Sequence, residues 1–210
     1  LMADFCSSVL QHLESVLGRE VSRPHIITPL DDVSAGEERT LRKRQAVRLL
    51  KVKGDSCLQA CAPLDALDFY KRAAQECRGN SDWVWLGAAL EGVCCCRRHE
   101  DAAGLEAFEE VISCYVRSKA VSLELEAYMK LARHHSAHGR KVAANERLMQ
   151  CLMLRPSISA QSSVALMRSM ASLFFEMRMF RKYAFCMEQL ADVYRKLHMT
   201  ADTEVTLLAA

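Results

Sequence analysis

Apolar residues recur every three to four positions along almost the whole chain. From Asp4 to Leu17 the stripe is Phe5, Val9, Leu13 and Val16/Leu17, with Gly18 as a stop, which predicts a helix. Residues 24–30, PHIITPL, break that period, and Pro24 and Pro29 favour extended backbone there. Residues 31–38 are polar and read as a loop. From Leu41 the helical period resumes and holds nearly to the end.

The helical part is repetitive. Val47, Leu50, Gly54, Cys57 and Cys61 lie on one helix face, and Pro63 ends that helix. Ala66, Tyr70 and Ala73 begin a second helix whose small residues permit close packing. Trp83, Leu86, Gly87 and Leu90 then fit the first helix of a tetratricopeptide unit, W-x2-L-G-x2-Y. Gly87 follows Gly54 by 33 residues, against a tetratricopeptide period of about 34. Trp85 lies roughly 200° around the helix from Trp83 and must face a neighbouring hairpin or solvent. Tyr128, Leu131, Ala132, His135 and Gly139, followed by Ala144, Leu148, Cys151 and Pro156, fit a whole unit. A weaker copy reads Ser172, Phe175, Met179, Ala184 and Ala191. Arg97 to Gly104 is a polar insertion that delays the second unit's return helix until Ala107. The predicted fold is all-α: a tetratricopeptide-like α-solenoid of about four hairpins over Thr40 to Lys196, preceded by one helix and a short extended segment.

Composition agrees. Eight glycines and four prolines in 210 residues leave few places to punctuate short strands. No apolar run approaches a membrane span, and acids within the first apolar stretch argue against a signal peptide. A net charge of +2 does not point to nucleic acid. Ten cysteines scattered through apolar helical stretches read as reduced thiols serving as small hydrophobes.

The wording of three segments is more specific than a generic repeat. KGDSCLQA (53–60), LDALDFYKRA (64–73) and NSDWVWLGAALEGVC (80–94) resemble the large TRAPP II subunit family. DFCSSVLQHLESVL is similar to the last helix of that family's amino-terminal domain, and PHIITPLD to a short strand before its solenoid. CAP at 61–63 and a short insertion after Cys96 depart from the family pattern. The resemblance implies that residues 1–38 end an amino-terminal domain and 39–210 form the solenoid. The chain would then be an internal piece of a longer protein whose carboxyl part carries β-sandwich domains. It further implies a cytoplasmic, Golgi-associated scaffold that supports nucleotide exchange on Rab GTPases. The expected partners are the small core TRAPP subunits and the second large TRAPP II subunit, with Rab GTPases met indirectly. Any membrane association would be peripheral and made through the complex. A different class of function, a peptide-binding adaptor in kinase signalling, uses the same solenoid groove.

Candidate chemistry is sparse. Cys94-Cys95-Cys96 lacks C-x2-C spacing and points three ways on a helix. His134 and His138 stand one turn apart without the glutamate of H-E-x-x-H, and His135 takes the repeat's buried aromatic slot. There is no G-x-S-x-G, no phosphate loop and no evident acid/base pair. No catalytic residue, cofactor or metal is expected. The expected packing residues are Gly54, Ala66, Tyr70, Trp83, Leu86, Gly87, Leu90, Leu131, Ala132, Gly139 and Ala144. Val164 to Phe180, with four methionines, reads as a helix buried between hairpins. Arg44, Arg48 and Lys51 share one helix face and form the candidate surface for an acidic partner or anionic membrane.

Overall fold

A computed structural model describes residues 2–18, 26–28, 31, 38–97 and 102–197. Among these, helices and short turns account for the regular structure, with no strand, and the chain divides into two compact units, Leu1–Ala120 and Val121–Ala210. In the first, α1 (Met2–Leu17) packs on α2 (Glu38–Gln59). Next, α2 packs on α3 (Pro63–Gly79), α3 on α4 (Trp83–Cys96) and α4 on α5 (Ala102–Arg117). In the second, α6 (Val121–Ala137) pairs with α7 (Lys141–Leu154), and α8 (Ala160–Glu176) with α9 (Phe180–Lys196). A 3-10 turn, Arg155–Ser157, separates the two pairs. The helices thus form the consecutive hairpins of an α-solenoid.

One turn design recurs. Cys61, Ser81, Lys119, Gly139 and Arg178 each adopt a positive φ between 52° and 71° just past a helix. The residue that follows donates its N–H five residues back: Ala62 to Cys57, Asp82 to Cys77, Ala120 to Tyr115, Arg140 to His135, Met179 to Phe174. This is the Schellman closure, which satisfies carbonyls the ending helix leaves open. Ala62, Asp82, Arg140 and Met179 then serve at once as N-caps of α3, α4, α7 and α9. Closing one helix and opening the next within three residues forces the chain back on itself. Pro63 fits this scheme at the first position of α3, where a missing N–H costs nothing.

Small residues set the packing distance. In the first unit Ala66, Ala73 and Ala89 have no exposed surface, and Tyr70 shares a core with Cys57, Ala66 and Val93. The second unit's core joins Leu148 and Cys151 of α7 to Met167, Met170 and Phe174 of α8 and to Leu190 and Tyr194 of α9. Each such large apolar side chain contributes about 1.5–3 kcal/mol on burial. Cys151 also donates its thiol to the buried carbonyl of Leu125, 3.8 Å away.

Three boundaries differ from the sequence reading. Helix α2 begins at Glu38, before Leu41. Helix α5 begins at Ala102 rather than Ala107; Ala102 and Ala103 favour helix strongly, and one interior glycine, Gly104, costs only about 1 kcal/mol. Residues 98–101 of the expected insertion lie outside the described residues. In the fourth hairpin the register shifts: Phe175, expected as a core position, is 56% exposed, while Phe174 is 1% exposed. The turn at Arg178 matches the turn at Gly139, and this aligns Met167, Met170, Ala171 and Phe174 with Tyr128, Leu131, Ala132 and His135. The expected continuous helix through Phe180 therefore ends at Glu176, though its methionines Met167, Met170 and Met177 are buried.

Candidate functional site

The most highly organised polar cluster surrounds Arg48, in the middle of α2. Its side chain has no exposed surface. Its Nη1 and Nη2 donate to the two carboxylate oxygens of Asp31 at 2.7 Å each, a bidentate pair. Nη1 also donates to the Ile26 carbonyl at 2.6 Å, and Nε donates to Asp82 at 2.9 Å. The guanidinium lies 5.3 Å from the centre of the Trp85 ring. One side chain thereby ties three parts of the unit: residues 26–28 and 31, helix α2 and the start of α4.

Neighbouring groups complete the clamp. The Ile26 N–H donates to Gln45, one helical turn before Arg48, at 2.7 Å. The Thr28 N–H and hydroxyl both donate to Asp31. Asp82 stands at the N-cap of α4 yet makes no side-chain cap there, because its carboxylate is turned to Arg48. Burial alone would raise the Asp31 carboxyl, but the Arg48 and Thr28 donors outweigh it and hold its pKa down to about 2. For Arg48 burial works against the charge, and the two carboxylates more than offset it, so its pKa is pushed up.

The predicted cationic face is therefore corrected. Arg44, Arg48 and Lys51 do share a face of α2, but it is not an open one. Arg48 is buried, Arg44 is half-buried, and Lys51 is engaged with Asp55 at 2.7 Å. The counter-charges on Arg48 come from Asp31 and Asp82, 17 and 34 residues away, outside the helical window that suggested an open cationic face. A separation of 34 is one repeat, a spacing in the sequence that could have paired Arg48 with Asp82.

The predicted packing positions fall as follows. A Cβ on Gly87 would stand 2.6 Å from Cε1 of Tyr115, and one on Gly54 2.7 Å from Cε1 of Tyr70. Gly92, absent from the sequence reading, meets the same Tyr70 ring at 2.6 Å. Tyr70 thus lies clasped between glycines of α2 and α4, its hydroxyl donating to Asp55 at 2.8 Å. Ala66, Leu86, Leu90, Leu131, Ala132 and Ala144 are buried, and Gly139 is an exposed turn residue. Trp83 is half-buried, with the guanidinium of Arg117 on α5 4.1 Å from the centre of its ring. Trp85 faces the neighbouring hairpin through Arg48.

The cysteine run splits three ways: Cys94 is buried, Cys95 exposed and Cys96 half-buried. No cysteine among the described residues is disulfide-bonded; Cys6 lies outside the described side chains. Burial pushes the Cys77 and Cys151 thiols up to about 12. His135 is buried, His138 exposed and His134 half-buried, with His138 Nδ1 2.8 Å from the His134 carbonyl. Among the described residues no three His, Cys, Asp or Glu side chains stand close enough to hold a metal ion. Nor is any helix there long and apolar enough to cross a membrane. The geometry is that of packing and tethering.

Comparison with known proteins points the same way as the sequence segments. Residues 7–97 match the family described as Trs120/TRAPPC9, N-terminal domain, and the match runs unbroken across position 38. Over 92% of its length the chain is 31% identical to the trafficking protein particle complex II-specific subunit 120 homolog of Oryza sativa subsp. japonica, covering 18% of that protein. The Arabidopsis thaliana homolog of the same name gives the same identity and coverage. Trafficking protein particle complex subunit 9 of Xenopus laevis is 48% identical over 58 residues, which is 28% of the chain and 5% of that protein. The chain spans less than a fifth of the length of these curated relatives. It belongs to the Trs120/TRAPPC9 family of large TRAPP II subunits.

Proposed function

We propose that this chain is a non-catalytic scaffold segment of a TRAPP II-like vesicle-tethering complex, one that supports Rab GTPase nucleotide exchange in Golgi trafficking. The observation that carries the reading is the alignment of nearly the whole chain with two plant proteins named as TRAPP II-specific subunits. The physical character of the molecule fits it. Its polar groups of highest organisation lie inside the clamp, where they fix one backbone segment against another and offer no reactive atom to solvent. In this reading residues 1–38 close a preceding domain, and the Arg48 clamp holds the end of that domain rigidly against the solenoid of 39–210. Partners are the small core subunits and the second large subunit; Rab GTPases are reached through them. Affinity capture of the full chain from its own cells, followed by mass spectrometry, tests this. Recovery of other TRAPP subunits is the expected result. Recovery of signalling kinases without any TRAPP subunit would replace the scaffold with an adaptor.

A further inference from the structure

Four of the solvent-facing cations, Arg140, Lys141, Arg178 and Arg181, stand on two turns of the second unit. The turn segments 137–145 and 177–185 contain Arg140, Lys141, Arg178, Arg181 and Lys182 and not one carboxylate, in a chain whose overall charge is only +2. The two turns are neighbours. Lys182 of α9 hydrogen-bonds Asn145 of α7, and Arg133 near the end of α6 lines one cavity with Ser172 and Glu176 near the end of α8. Arg140, Lys141, Arg178 and Arg181 are all exposed and make no ion pair within the described residues. Glu176, the nearest acid along α8, is held by Ser172 of its own helix.

Apolar side chains stand among these charges. Phe175 is 56% exposed, Phe180 57% and Val142 71%. The two phenylalanine rings meet edge to face at 5.9 Å, and Tyr183 joins Phe175 at 5.4 Å. Aromatic pairing accounts for their mutual orientation but not for their exposure. Helix α8 buries Met167, Met170 and Phe174 in the core and still presents Phe175 outward. Exposed aromatics on the same turns as exposed Arg and Lys match the interfacial layer of a bilayer: rings settle at headgroup depth and cations face the negative surface. A single acidic peptide would instead ask for directed, paired donors aimed at its carboxylates. Here the charges are spread over two turns and converge on no one point.

We propose that the adjacent α6–α7 and α8–α9 turns are a docking surface for an anionic lipid bilayer. This goes beyond the scaffold reading, in which membrane association is made through the complex. The test is flotation of the full chain with phosphatidylcholine vesicles, with and without phosphatidylserine. Binding is expected only to the phosphatidylserine vesicles, and it should weaken with salt because exposed charges are screened. Arg178→Glu with Arg181→Glu should reduce it at least about tenfold. Phe175→Ser with Phe180→Ser should reduce it while leaving the salt dependence in place. Arg140→Glu with Lys141→Glu provides a second charge variant on a different turn, and an unchanged melting temperature certifies the fold of each. Equal binding by wild type and both charge variants, or none by wild type, overturns the proposal. So does loss of captured TRAPP subunits with vesicle binding intact, which would make the surface a protein interface. Failure on vesicles leaves subunit capture, the test of the scaffold role, unaffected.

Discussion

Arg48 has exchanged all its water for four hydrogen bonds and the face of an indole. Removing it would leave two nearly buried carboxylates, Asp31 and Asp82, each 6% exposed, without a counter-charge. Arg48→Met should therefore cost about 3–5 kcal/mol in urea unfolding. Adding Asp31→Asn and Asp82→Asn should recover part of that, since neutral amides tolerate the missing cation; no recovery would mean the loss is one of packing. The pH dependence has a definite sign. The folded Asp31 pKa of about 2 lies below its ordinary 3.8, so its stabilisation is complete above about pH 4. It is lost as the pH falls through 4 toward 2, and Asp31→Asn should flatten the acid limb of stability in that window. Little of this was legible in the sequence. The helical period placed Arg44, Arg48 and Lys51 on one face correctly, but periodicity says nothing about what lies across from a face. The covering group, Asp31, stands in a segment whose only sequence signals were prolines and polarity.

Helix pairing was more legible, because it depends on residue sizes that the sequence states directly. Gly87 was readable as a close-contact position from the tetratricopeptide frame, and its partner is the ring of Tyr115, 2% exposed and unable to swing aside. Gly87→Leu should lower stability by about 1–3 kcal/mol through overpacking, visible as a reduced melting temperature. The turns were much less legible. Four of the five left-handed turn residues are Cys61, Ser81, Lys119 and Arg178, whereas the usual signal for such a position is glycine. Gly139 and, two residues after Cys61, Pro63 signal their turns, whereas Arg178 does not, and this shifts the register of the fourth hairpin. An L-residue there carries a strain of about 1–2 kcal/mol, part of which glycine returns as unfolded-chain entropy. Ser81→Gly and Lys119→Gly, both exposed, should each stabilise the chain by about 0.5–1 kcal/mol. A lower melting temperature in either variant would show that the side chain contributes something the turn geometry does not explain.

At the scale of the whole molecule, the two compact units have separate interiors. The clamp, the Tyr70 clasp and the Gly87–Tyr115 contact all lie within Leu1–Ala120, and the methionine-rich core within Val121–Ala210. In a repeat array each hairpin draws its stability chiefly from the one beside it, so damage should decay with distance along the chain. Arg48→Met offers a direct measurement. Native-state hydrogen exchange should show lost amide protection across α2, α3 and α4, the helices that Arg48 and its partners connect. Protection in α8 and α9 should remain as in the wild type, because those helices draw on a core of their own, built from Met167, Met170, Phe174, Leu190 and Tyr194. Uniform loss of protection from α2 to α9 would mean that the chain unfolds as one cooperative body. The clamp would then stabilise the whole chain, and the amino-terminal segment could not be released without dismantling the solenoid. Confinement to α2–α4 would instead make the clamp a local latch, which fixes residues 26–28 against the first hairpins and leaves the later ones free to present their own surfaces.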